Sequence, residues 1–314
     1  LFRSLFIPLE ALSSEARALE REGCALWTGG HPDEAFRGAE LVVVSPGVPL
    51  ELPALAAVRA RGALIIGELE LAWRVMEADV IAITGTNGKT TTSLLVEALL
   101  GANGRPTGVI GTIQYRVGAQ AEPASQTTPE ALELQSLLAR MVREGVGGAA
   151  MEVSSHALAL SRVDGIEFDV AVFTNLTQDH LDFHRTLEAY RDAKARLFTL
   201  LARSRKPYRA AVVNTDDPAG AAMLAAAAAD SRVRPITFGL HGPALLRPRR
   251  WESGMDGIRL EVATPKGPIE IVSPLVGEHN VMNLLGAVGV GLALDMAPRR
   301  IGETLSRVAT VPGR

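Results

Sequence analysis

The chain has 314 residues, 47% hydrophobic and 21% charged, with a net charge of −3 and one cysteine. This is ordinary for a globular protein with a sizeable core, and it gives no electrostatic case for nucleic acid or an anionic membrane. Cys24 alone excludes an intramolecular disulfide and any multi-cysteine zinc site, and no apolar run reaches the length of a membrane span, so a cytoplasmic protein without membrane insertion is expected.

The length allows two domains or one large one. No signal peptide shows at the start, and the first residue is Leu, so the true N-terminus is expected upstream. Residues 11–22 read as an amphipathic helix (Leu12, Ala16, Leu19), followed by Gly29-Gly30-His31 and a short segment ending at Gly38. Leu41 to Ser45 is a buried-type strand closed by Pro46-Gly47-Val48-Pro49. That turn stands where an α/β sheet binds ligands, though a plain Pro-Gly turn explains it equally well. A helix over 51–61, a strand from Leu64 to Ile66 and a helix over 68–76 continue a β–α–β alternation, which implies a parallel sheet.

Residues 79–93, DVIAITGTNGKTTTS, follow. A β-branched run (Val80, Ile81, Ile83) ends in Thr84. Gly85-Thr86-Asn87-Gly88-Lys89-Thr90 comes next, then a helical pattern with Leu94, Leu95, Ala98 and Leu99 on one side. Strand, glycine-rich turn and helix make a phosphate loop credible, because glycines let several N–H groups face one phosphate at a helix N-terminus. Lys89 would supply a mobile charge to the β/γ-phosphates and Thr90 a hydroxyl to Mg²⁺. The spacing is shorter than usual, with Ile83 where the first glycine should stand.

Beyond the loop, a strand from Thr107 to Ile110 leads through GTIQYRVG to Gln126-Thr127-Thr128-Pro129-Glu130, where Thr128 and Pro129 read as the cap and first position of a helix over 130–143. A strand from Gly148 to Val153 delivers Glu152, Ser154, Ser155 and His156 at its end; one from Asp169 to Thr174 delivers Asn175, Thr177, Asp179, His180 and Asp182. A helix over 186–200 carries Tyr190 and Lys194. A strand from Ala211 to Val213, an alanine-rich helix over 221–229 and a strand from Ile236 to Phe238 follow. Alternation in Ile258, Leu260 and Val262, a turn at Pro265-Lys266-Gly267 and a return from Pro268 to Val272 predict an antiparallel hairpin. Gly277-Glu278-His279-Asn280-Val281-Met282-Asn283 opens a helix over 281–294, and a last helix spans 298–308.

Carboxyl ends of parallel strands gather at one sheet edge, so these distant residues should meet. Glu152, among apolar neighbours, needs a partner: Mg²⁺ or a neighbouring loop. His180 shares its strand end with Asp179 and Asp182, or is a satisfied turn histidine. Lys194 between alanines is either a snorkelling stem or a buried, reactive amine.

The segments GTNGKTTT, MEVSSHALALSRV, FTNLTQDHLDFH, YRDAKARLF and GEHNVMNLLGA together resemble the central domain of the Mur ligases, over roughly 79–314. TTPE and EVSSHAL resemble the UDP-N-acetylmuramyl-tripeptide synthetases within that family. The resemblance implies an ATP-dependent amide ligase of peptidoglycan precursor synthesis, which phosphorylates a carboxylate and lets an amine attack the acyl phosphate. It implies ATP on Gly85, Thr86, Asn87, Gly88, Lys89, Thr90 and Thr91, with Asn280 and Asn283 near the adenine. Two Mg²⁺ sites are implied, the first on Thr90 and Glu152 and the second involving His180, with Lys194 as a carbamate ligand formed with CO₂. Thr127, Thr128, Ser154 and Arg162 match positions that contact the UDP-muramyl-peptide, and Lys89, His180 and Lys194 are the expected catalytic set.

Residues 1–78 instead resemble the Rossmann-like N-terminal domain of the D-glutamate-adding ligases, through GGHPDEAFRGAELVVVSPGVP and IIGELELA, without its first strand and glycine turn. The expected fold is therefore α/β: a partial Rossmann-like, UDP-binding domain over 1–78, then a mostly parallel phosphate-loop domain over 79–314. The family's third domain would follow Arg314, so the chain alone is expected to be inactive or nearly so. The leading expectation is addition of a diamino acid to UDP-MurNAc-L-Ala-D-Glu. The rivals are a D-glutamate-adding ligase acting on UDP-MurNAc-L-Ala, and a nucleotide-binding module without turnover.

Overall fold

A computed structural model describes residues 4–7, 20–21, 23–28, 30, 32–44, 48–49, 51–67, 78–179 and 181–308. The helix expected over 68–76, most of that over 11–22, the Ser45-Pro46-Gly47 turn and His180 lie outside them. The chain divides into two compact units, Leu1–Leu71 and Ala72–Arg314.

In the first unit β1 (Ser4–Ile7) pairs in parallel with β2 (Ala25–Thr28), and β3 (Leu41–Val44) with β4 (Leu64–Gly67). The sequence reading placed neither β1 nor β2. Helix α1 (Pro53–Ala60) connects β3 to β4 with Pro in its first turn, and buries Leu55 and Val58 against Phe36 and Val42.

The second unit is built on an eight-stranded sheet. Its parallel part runs β12 (Val233–Phe238), β11 (Arg209–Asn214), β10 (Val170–Phe173), β5 (Asp79–Thr84), β9 (Gly148–Glu152), β6 (Thr107–Ile110). An antiparallel hairpin, β7 (Gln114–Val117) and β8 (Gln120–Pro123), extends the β6 edge. The central strands read as unbroken apolar runs because both faces are covered. Ile81 and Ile83 of β5 face a core shared with α2 (Lys89–Gly101) and α8 (Glu278–Ala293). The intervening Val80, Ala82 and Thr84 turn to the opposite face, where α6 (Leu187–Arg203) packs. Helices α3 (Ala131–Arg143), α4 (Ser155–Ala159), α5 (Leu181–His184) and α7 (Gly220–Ala227) complete the connections.

A second, three-stranded antiparallel sheet consists of β13 (Arg247–Gly254), β14 (Gly257–Ala263) and β15 (Ile269–Ser273), with α9 (Pro298–Ser306) against β15. The expected hairpin is its β14–β15 half. Helix α8 begins at Glu278, three residues before the expected start, so His279 and Asn280 lie within its first turn. Among the described residues no helix is long and apolar enough to cross a membrane.

Candidate active site

Three groups of residues collect where β5, β9 and β10 end. The first surrounds Glu152, the last residue of β9, which is 1% exposed. Its carboxylate accepts from the Thr112 N–H at 3.0 Å, the Thr112 hydroxyl at 3.0 Å and the Thr90 hydroxyl at 3.2 Å. Gly111 leaves the space it needs: a Cβ there would lie 2.4 Å from Glu152 Oε1. A cavity of about 20 Å³, room for one water or a small cation, is lined by Thr90, Ser93, Gly111 and Glu152 among others.

The residues expected to meet the muramyl-peptide adjoin this carboxylate. The Thr127 hydroxyl lies 3.1 Å from that of Thr112. The Thr128 hydroxyl donates to the Glu152 carbonyl and accepts from the Ser154 N–H, both at 2.9 Å. Arg162 donates to the Thr128 carbonyl at 3.2 Å and to Gln126 at 2.7 Å, and it pairs with Glu130. One expectation is corrected here. Thr128 and Pro129 do not start α3: Glu130 occupies the N-cap position, and the Thr128 hydroxyl is spent on the end of β9. Ser154 caps α4 instead, accepting from the Ala157 N–H at 3.2 Å.

The second group is the glycine-rich loop between β5 and α2, read from sequence as a phosphate loop. Gly88 has φ +83, and a Cβ there would lie 2.3 Å from Asn283 Oδ1, so glycine is required twice over. Lys89 folds back on its loop, donating to the Gly85 carbonyl at 2.9 Å and the Thr86 carbonyl at 3.0 Å. Asn87 donates its N–H to Asn175 at 2.9 Å, and Thr91 is buried in the first turn of α2. Lys194, 1% exposed on α6, donates to the same Gly85 carbonyl at 2.8 Å, and its Nζ sits 4.4 Å from the centroid of the Tyr190 ring. Burial first, and then the nearby Lys89 charge, hold this amine well below the usual lysine range, while Asp179 pulls the other way. Lys194 is therefore a buried amine and not a snorkelling stem. Thr84, fully buried just before the loop, has a hydroxyl with no partner among the described residues.

The third group borders a cleft of about 500 Å³ lined by Asn87, Gly88, Asn175, Asn214, Phe238, His279 and Asn283 among others. Asn283 donates to Asn280 at 3.0 Å and accepts from Thr92 at 3.4 Å. Sequence reasoning names Tyr190 beside Lys194 but gives its hydroxyl no role, and it does not name Thr112 as a site residue. Thr112 follows a parallel strand ending at the same sheet edge, and Tyr190 stands one helical turn before Lys194; these were the available signals.

The model of the Mur ligase middle domain matches residues 83–291, and that of the Mur ligase MurD-like N-terminal domain matches residues 11–67. The chain is 48% identical over 237 residues to the UDP-N-acetylmuramoyl-L-alanyl-D-glutamate--2,6-diaminopimelate ligase of Geobacter metallireducens, covering 75% of this chain and 46% of that protein. It is 39% identical over 284 residues to the enzyme of that name from Bacillus velezensis, covering 89% and 57%. A solved structure bearing the same enzyme name superimposes with a TM-score of 0.69 at 27% identity, over 89% of this chain and 62% of that one. A MurF structure from Acinetobacter baumannii, 19% identical with a TM-score of 0.62 over 89% of this chain and 63% of its own, shares the fold. The chain spans about half the length of the relatives it matches.

Proposed function

The chain belongs to the Mur ligase family, and on that premise we propose that it carries the nucleotide and acceptor sites of an ATP-dependent ligase that adds a diamino acid to UDP-MurNAc-L-Ala-D-Glu in the cytoplasm. The observation that carries the reading is the single carboxylate of Glu152. It is bonded to Thr90 of the phosphate loop and, through Thr112, to Thr127, with Thr128, Ser154 and Arg162 alongside. A phosphoryl donor and a carboxylate acceptor bound to these two sets of residues would meet at one point.

The donors fit a hard divalent cation: a buried carboxylate and a threonine hydroxyl line a small cavity that a Gly111 side chain would fill. Thr90 and Glu152 would hold one Mg²⁺. Bound there, the ion would neutralise charge on the transferring phosphoryl group. His180 is proposed for a second Mg²⁺ site. Lys89 would turn from the Gly85 and Thr86 carbonyls to the phosphates. The ATP phosphates are assigned to Gly85, Thr86, Asn87, Gly88, Lys89, Thr90 and Thr91, and the base to the cleft beside Asn280 and Asn283. Residues 1–78 are assigned to the UDP moiety.

In the reaction the γ-phosphoryl passes to a carboxylate oxygen of the acceptor and ADP leaves. The amine nitrogen then attacks the acyl carbon, forming the amide bond while phosphate departs with the C–O electrons and the nitrogen gives up one proton to solvent or to the departing phosphate. Lys194 is proposed as a carbamate. Its unprotonated Nζ would add to the carbon of CO₂ and release a proton, giving an anionic oxygen ligand suited to Mg²⁺. The lowered basicity of the buried amine supports that step, because only the neutral form is nucleophilic.

The test is phosphate release from ATP by the enzyme of the full reading frame, with diaminopimelate and UDP-MurNAc-L-Ala-D-Glu. A second reading, addition of D-glutamate to UDP-MurNAc-L-Ala, is favoured by the MurD-like match over residues 11–67. Release with the monopeptide and D-glutamate, but not with the dipeptide, would decide for it.

A further inference from the structure

Tyr190 and Lys194 stand one turn apart on α6, and they grip consecutive residues of the phosphate loop. Lys194 donates to the Gly85 carbonyl at 2.8 Å. The phenol oxygen of Tyr190 lies 3.1 Å from the Thr86 hydroxyl. Thr86 has one proton and two acceptor positions. Its Oγ1 accepts from the Thr177 N–H at 3.0 Å and stands 3.3 Å from the Thr177 carbonyl, where its own proton goes. The remaining position faces the phenol, and the two hydroxyls share one hydrogen bond. Burial keeps that phenol protonated, with its ionisation pushed above the usual tyrosine range.

The ring is held from behind. Tyr190 is 1% exposed, and the His184 ring packs on it with centroids 5.1 Å apart. His184 Nε2 in turn lies 2.9 Å from the hydroxyl of the buried Ser155, at the start of α4. The phenol therefore has a fixed address, whereas the bond from Lys194 depends on the state of its amine.

We infer that Tyr190 is a positioning residue for the phosphate loop: its phenol tethers Thr86 to the helix that carries Lys194, and so keeps the loop in its nucleotide-ready shape whatever the state of that lysine. The inference rests on the nucleotide reading of the loop, but not on ligation, and its test needs no turnover.

The experiment measures binding of Mg·AMPPNP to the 314-residue chain by calorimetry, in wild type, Tyr190→Phe, Thr86→Val and the double variant. Phe keeps the ring over Lys194 and against His184 and removes only the hydroxyl. The expected result is a threefold to tenfold weaker Kd for Tyr190→Phe, with a thermal midpoint close to that of wild type. In the Thr86→Val background the same substitution should change nothing, because the tethered atom has gone. A packing role for Tyr190 would give the reverse: a shifted midpoint, or a loss that multiplies with Thr86→Val. An unchanged Kd in Tyr190→Phe would overturn the inference, as would multiplying losses. Failure of the wild-type chain to bind Mg·AMPPNP would overturn it together with the nucleotide reading. Nucleotide binding without ligation by the full reading frame would overturn only the proposed function.

Discussion

The central strand β5 has a largely buried lysine near each end. At its carboxyl end Lys194 is 1% exposed and reaches one backbone carbonyl; among the described residues no carboxylate comes within ion-pair distance of it. At its amino end Lys206 donates to the Ala78 carbonyl at 2.8 Å and pairs with Asp169 at 3.1 Å. Asp169 also accepts from the Val80 N–H at 2.8 Å, so the carboxylate and the lysine together pin the entrance of β5. A buried charge that is matched holds structure in place. A buried amine beside a second lysine, with only distant acid, is costly as a cation and suited to chemistry as a neutral group. Substitutions at the two ends should therefore divide cleanly, activity at one and stability at the other.

The largest effect is expected at Lys194. Lys194→Ala in the full-length enzyme should lower ligation by at least about a hundredfold, as loss of a group holding transition-state charge does. Short carboxylates that occupy the vacated space should restore part of it. A merely structural buried lysine would leave turnover intact and cost stability instead, by about 1–3 kcal/mol for the cavity and the lost bond to Gly85. Next comes Glu152→Gln, which keeps the size, removes the charge and turns one acceptor oxygen into an amide donor. Mg²⁺-dependent nucleotide affinity should fall roughly 10- to 100-fold, with little change in the Mg²⁺-free value. An equal loss with and without the ion, measured by calorimetry, would count against a metal at this carboxylate.

How much of this contrast could be read from sequence depends on the range of each contact. The strand, glycine-rich turn and helix over 79–101 and the strand-end position of Glu152 were legible because their signals are local. The β7–β8 hairpin and β13 were not, although QYRV of β7 does alternate, with Tyr115 and Val117 buried, over only four residues. QAEP is exposed throughout, and RPRRWESG has one large apolar residue, so neither shows the two-residue alternation that marks a strand. Both are sheet edges, where pairing rather than burial makes the strand. The bonds that assemble the site cross 40 residues from Thr112 to Glu152 and 104 from Thr86 to Tyr190. No periodicity reports such pairings. The proposed tether was legible only as the four-residue spacing of Tyr190 and Lys194, and the grip of Lys206 on Asp169 left no local mark.

Lys206→Met examines the amino end. It removes one partner of a mostly buried pair and a bond to the Ala78 carbonyl, so unfolding free energy at pH 7 should fall by about 2 kcal/mol. Nucleotide affinity should stay at the wild-type value, because the pair lies at the far end of the strand. A loss of affinity without loss of stability would erase the division between the two ends.

The smallest and most specific effect is the pH dependence of Asp169. Burial lifts its carboxyl from an ordinary 3.8 to about 6; Lys206 and the Val80 N–H oppose the rise, and Asp79 adds to it. Because the folded value lies above the unfolded one, the native state binds more protons between about pH 4 and 6. The cost of the charged form is therefore complete above pH 6 and is relieved as pH falls through that value. Asp216 and Glu167, held low by backbone N–H bonds, titrate with the opposite sign, so the raw pH curve mixes contributions. The difference between wild type and Asp169→Asn isolates the one group, since Asn can still accept from Val80. That difference in unfolding free energy should move in favour of wild type by about 1 kcal/mol from pH 7 to pH 5, measured by urea unfolding at both values. A difference that stays flat, or that moves against wild type, would mean that Lys206 holds Asp169 ionised across this range and that the amino-end pair is a fully compensated ion pair.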